Sequence, residues 1–142
     1  MKINRKTITM LYYINPVEED QCVFITYEGE MVAAEAESAR HEVNALLGVM
    51  RWNRIVVDIT QLQSIPTAWE LFWFSECLFS DLPRNVRIAL VIRLDQARHA
   101  RLVKNIARNR GVILGCFADA EDALAWVNPV NPFVATALAA SF

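Results

Sequence analysis

Arg54 to Ile59 reads RIVVDI, and Val86 to Ile92 reads VRIALVI. Both runs are short and almost wholly apolar, the pattern of a strand covered on both faces rather than of one with a wet side. Between them, Thr67 to about Leu82 is rich in residues at helical spacing and stops before Pro83. Two buried strands joined through a helix are parallel neighbours with a right-handed crossover. This stretch therefore predicts an α/β domain.

The flanking sequence extends the pattern. Upstream, Val32 to Met50 holds Val43, Leu46, Leu47 and Met50 at three- and four-residue intervals, an amphipathic helix. Before it, Thr7 to Asn15 (TITMLYYIN, closed by Pro16) and Cys22 to Tyr27 (CVFITY) read as strands. The polar link Glu18-Glu19-Asp20 is short enough to make them an antiparallel hairpin, and Gly29 serves the following turn. Downstream, Gln96 to Arg110 is helical, with Asp95 expected as N-cap and Gly111 at the C′ position. Val112 to Phe117 (VILGCF) is a last strand and Glu121 to Val127 a short helix. The order ββαβαβαβα predicts a mixed, mostly parallel sheet of about five strands with four helices. One domain over residues 1–127 is expected. The apolar tail 128–142, carrying Pro129 and Pro132, is expected to pack on that domain or on a second subunit.

Composition narrows the function classes. With 142 residues, 54% hydrophobic and 21% charged, the chain can bury a core and is not disordered. Its net charge of −2 offers no positive field for a phosphate backbone, so nucleic acid is not an expected partner. Cys22, Cys77 and Cys116 are too few for a disulfide framework and suit a reducing, cytoplasmic setting. The basic start is not followed by an apolar run, so no signal peptide is expected. No stretch reaches the roughly 20 apolar residues of a membrane span.

The search for reactive constellations returns little. His41 and His99 fall on different helices, and no Cys-x-x-Cys or His-x-x-x-His spacing occurs. Neither a metal site nor a cofactor is expected. Asp58 ends a central strand, where α/β sheets place functional groups, with Thr60 in the loop beyond it. An Asp at that position also serves simply to hydrogen-bond the loop that follows. A hydrolase built on Asp58 with His41 or His99 lacks a nucleophile and base that the sequence brings together. No enzyme is expected.

Four phrases in order resemble the STAS fold and, within it, the SpoIIAA-like branch of anti-sigma-factor antagonists. They are TYEGEM (Thr26 to Met31), IVVDIT (Ile55 to Thr60), VRIALVI (Val86 to Ile92) and FADAEDALAWV (Phe117 to Val127). The resemblance implies the scaffold and a regulatory, protein-binding role. In the antagonists the turn after the IVVDIT-like strand carries Asp-Ser-Ser-Gly, whose first Ser a partner kinase phosphorylates. This chain reads Pro66-Thr67-Ala68-Trp69 there, so the resemblance marks Thr67 as the phosphorylation candidate while the other three residues are replaced. Thr67-Ala68-Trp69-Glu70 is also a complete capping box, which accounts for Thr67 without any phosphate.

The helix that follows has two greasy sides. Leu71, Phe74, Leu78 and Leu82 make one stripe; Trp69 and Trp73 lie roughly opposite, with Phe72 and Phe79 on the flank. Two apolar sides require two apolar neighbours. The second is either a covering segment of the chain itself, such as the tail from Phe133 to Leu138, or an outside partner. Trp69, Phe72, Trp73 and Phe79 are therefore the candidate surface for a protein partner or a second copy in a homodimer. The alternative is an apolar small molecule or lipid held in a cavity beside the same helix. Arg98, Arg101, Lys104 and Arg108 share a helix side that reads as ordinary solvated surface.

Overall fold

The sheet starts from a hairpin. In the computed structural model, which describes residues 10–63, 75, 76, 79 and 81–130 and only the backbone at Met10, β1 (Met10–Val17) pairs antiparallel with β2 (Cys22–Gly29). A single 3-10 turn, Glu18–Asp20, joins them. The strand runs on through Pro16, which the sequence reading took as its end. β1 is an edge strand, and an edge is where a residue without an N–H is tolerated.

Parallel pairing then adds β3 (Arg54–Leu62), β4 (Arg87–Val91) and β5 (Ile113–Phe117), giving the order β1-β2-β3-β4-β5. The connections include α1 (Ala33–Met50) after β2, α2 (Ala97–Asn109) after β4 and α3 (Ala120–Val127) after β5. Three α-helices thus stand among the described residues. Of the expected fourth, Thr67 to Leu82, Ser75 and Glu76 are helical and most of the rest lies outside the described residues.

Strand alternation divides the apolar residues between two layers. Ile25, Ile55, Ile88 and Leu114 face α1 and α2, where they meet Leu47, Val43, Val103 and Ile106 in the larger core. Val56, Ala89, Val91 and Phe117 face the other way, onto Trp126 and Val127 of α3. Full burial of side chains such as Leu47 (2% exposed) and Phe117 (1% exposed) contributes about 1.5–3 kcal/mol each. The second layer is tight. The Phe117 and Trp126 rings lie 5.3 Å apart, and the Arg87 guanidinium sits 4.8 Å over the indole. Gly115 lets both rings approach, because a Cβ there would meet Phe117 at 3.1 Å and Trp126 at 3.2 Å.

Two helix ends follow the sequence and one departs from it. Asp119 caps α3, accepting from the Asp122 N–H at 2.8 Å. Gly111 takes a φ of +74°, as its place after α2 requires. Asp95, expected to cap α2, does not. It lies inside a 3-10 turn, Leu94–Gln96, and its carboxylate turns back to Arg93 at 2.9 Å. Gln96 closes this start instead, accepting the Arg93 N–H at 2.8 Å.

Candidate functional site at the carboxyl end of β3

β3 outruns its neighbour. Its register with β4 ends at Asp58 opposite Val91, while β3 itself continues to Leu62. A buried backbone carbonyl needs a donor, and β4 supplies none past this point. Two side chains from the turn after β4 do so. Gln96 Nε2 donates to the Ile59 carbonyl at 2.8 Å, and Arg93 Nη1 donates to the carbonyls of Thr60 and, at 2.9 Å, Leu62. Gln96 is 3% exposed, so its amide is committed to this task on both sides.

On the β2 side the register slips. Thr26 pairs with Asp58, but Glu28 pairs with Gln61, so β3 carries one extra residue there. A bulge of this kind leaves an N–H off the ladder. The Asp58 side chain takes it: Oδ1 accepts the Thr60 N–H at 2.9 Å and the Thr60 hydroxyl at 2.6 Å. The extra residue also inverts the alternation, and this brings Leu62 onto the α1/α2 side, 3% exposed in the larger core. Ladder pairing resumes past the bulge, with the Gln63 N–H reaching the Gly29 carbonyl at 2.7 Å.

Together these contacts make a clamp of Asp58, Thr60, Arg93 and Gln96 around the last turn-facing residues of β3. It fixes the backbone of β3 as far as Leu62. Arg93 also holds Asp95, and this pairing keeps the Asp95 carboxyl below its usual range.

No family model matches this sequence, and no curated protein matches it. Among solved structures, it is similar to the crystal structure of an anti-sigma factor antagonist from Mycobacterium paratuberculosis. The likeness has a TM-score of 0.61 at 12% sequence identity and covers 84% of this chain and 94% of that one. The chain has the STAS-type fold.

Within this STAS-type scaffold the expected site residues separate. Asp58 and Thr60 are brought together, but as partners of each other. The Asp58 oxygen that would act as a base is occupied by the bulge. His99 lines the α1/α2 side of the sheet, whereas alternation puts the Asp58 side chain on the opposite side with Val56. His41 is exposed on α1, 3.3 Å from Glu37. No hydrolytic constellation of Asp58 with either histidine forms. Burial pushes the Cys22 thiol up to about 12 and raises that of Cys116, so neither is a ready nucleophile. No group of His, Cys, Asp or Glu among the described residues could hold a metal ion. None of the described helices is long and apolar enough to cross a membrane.

Thr67, Trp69, Phe72 and Trp73 lie outside the described residues, as do Cys77 and the tail from residue 131. Phe79 is described, and it corrects the expected surface. It is 5% exposed within the larger core, so its ring is used in holding the fold together and not in meeting a partner. Arg98, Arg101 and Arg108 are exposed, as expected of a solvated helix side. Sequence reading missed Arg93 and Gln96. Their signal was present: a polar residue, then Gln three positions on, opening a helix directly after an apolar strand.

Proposed function

We propose that this chain is a non-catalytic regulatory module that works by binding another protein in a cytoplasm. Its recognition surface is the loop and helix beyond the clamp, residues 66–79, with Thr67, Trp69, Phe72 and Trp73 as the contact residues. The observation that carries this reading is the fold, which the chain has in common with an anti-sigma factor antagonist. The clamp supports it: four side chains hold the end of β3, and the proposed surface begins four residues after Leu62 in the sequence. Aromatic side chains of this kind are the usual anchors of protein interfaces. A second copy of the chain is the other occupant the same surface fits.

The test compares wild-type protein with Trp69→Ala/Trp73→Ala and with Thr67→Asp. Oligomeric state is read by light scattering, and association by affinity capture from the native host with mass spectrometry. The proposal expects one partner, or the dimer, to be lost in the double variant and altered in Thr67→Asp while Tm changes little. Unchanged association and unchanged oligomeric state in both variants would overturn it. Intact-mass analysis of protein from the native host, read at Thr67, reports whether the family's switch operates here.

A further inference from the structure

A cavity of about 90 Å³ lies between the sheet, α1 and α2. Its described walls are mostly apolar, with Ile25, Val57, Leu90 and Val103 among them. Two polar atoms break this pattern. Asn44 Oδ1 of α1 and His99 Nδ1 of α2 are both buried and both without a hydrogen-bond partner, and both residues line the cavity. Tyr27 and Ser75 also line it, and two further polar residues of the wall are already engaged. Arg40 is paired with Glu37 and Asp81, and Gln96 belongs to the clamp.

An unpaired buried acceptor costs about 1–3 kcal/mol, and two in one small space form a strong preference for something that satisfies them. We infer that this cavity is a binding site for a small hydroxylated hydrophobe, an aromatic or aliphatic alcohol of phenol-like size. The volume admits about six to nine water-sized groups, the range of a single ring with one substituent. The walls favour the ring. A hydroxyl both donates and accepts, so it suits the Asn44 carbonyl oxygen and His99 Nδ1 in either tautomer. This inference goes beyond the partner reading: Ser75 of the segment proposed above also lines the cavity, but the two polar atoms it rests on lie on α1 and α2.

The probes are phenol and toluene, which have nearly the same shape and differ in the hydroxyl. Phenol is the better hydrated of the two, so a merely greasy cavity binds toluene more tightly. Titrations are followed by methyl NMR at Ile25, Val57, Leu90 and Val103 and by thermal shift. The expected result is saturable binding at those methyls, with phenol tighter than toluene by about tenfold. Asn44→Leu and His99→Phe should each reverse the order of the two probes, and Ala100→Leu, which fills the cavity, should abolish both. Toluene binding more tightly to the wild type, or neither probe saturating, overturns the inference. The wild-type comparison decides this even where a variant fails to fold.

Discussion

Removing the Arg93 side chain tests the clamp most directly. Arg93→Ala deletes two hydrogen bonds from a charged donor to the Thr60 and Leu62 carbonyls, together with the exposed pairing to Asp95. Bonds to a charged group contribute about 1.5–3 kcal/mol each, and an exposed ion pair adds little. The Arg93 side chain is 35% exposed, so water partly replaces what is lost. The net destabilisation worked from these terms is about 2–4 kcal/mol. For a chain of this size that is a Tm lowered by about 6–12 °C. Arg93→Lys retains the charge but not the fork that reaches two carbonyls, and should recover about half. Urea denaturation gives the stability change. Amide hydrogen exchange localises it, with acceleration expected at residues 60–63 and little at β4 or β5. A loss under about 0.5 kcal/mol, or exchange that quickens evenly through the sheet, would refute the claim that this side chain holds the end of β3.

Two further outcomes follow from the packing. Gly115→Ala should destabilise by about 1–2 kcal/mol, because its Cβ would press on two rings that are themselves fully packed; adding Phe117→Leu should relieve part of that loss, and a stabilised single variant would show the rings have room. Cys22 and Cys116 are neutral thiols whose folded pKa lies above the unfolded value near 9, so their contribution is fully present below pH 9 and is lost above it, for Cys22 as pH rises toward 12. Urea midpoints at pH 8, 9 and 10 should therefore decline, ahead of tyrosine titration, and the decline should be shallower in Cys22→Ala; identical slopes would mean the thiol is not shielded.

The strands were legible because burial on both faces writes itself into contiguous apolar runs, and the antiparallel hairpin because its link is too short for a crossover. Asp58 was legible as a residue that bonds two positions on, but not its setting: the sequence reading put Thr60 in a loop, whereas β3 runs on to Leu62 and the bond spans a bulge inside the strand. What the sequence could not reveal depends on elements far apart along the chain. The bulge exists only in the register of β3 against β2, and the clamp joins Arg93 to a carbonyl 33 residues earlier. Asp95 was misread for a related reason: an acidic residue before a helix looks like a cap until Gln96 is seen to accept the Arg93 N–H first. Phe79 was placed on the flank of the apolar stripe and read as surface, but its N–H bonds the Ser75 carbonyl one turn back and its ring goes inward, into the larger core.

The clamp bears on recognition through order rather than contact. A surface that starts at residue 66 begins four positions beyond Leu62, the last residue Arg93 holds. Fixing a residue's backbone costs about 1–2 kcal/mol, and residues up to Leu62 that the clamp already holds avoid that cost when the chain associates. Arg93→Lys keeps the charge while loosening the end of β3 next to the proposed surface, so it should weaken partner binding without touching the partner. The loss should fall in the dissociation rate and grow with temperature. Equal affinity in Arg93→Lys and wild type, with exchange at residues 60–63 demonstrably faster, would separate the clamp from recognition and leave it a device of stability alone.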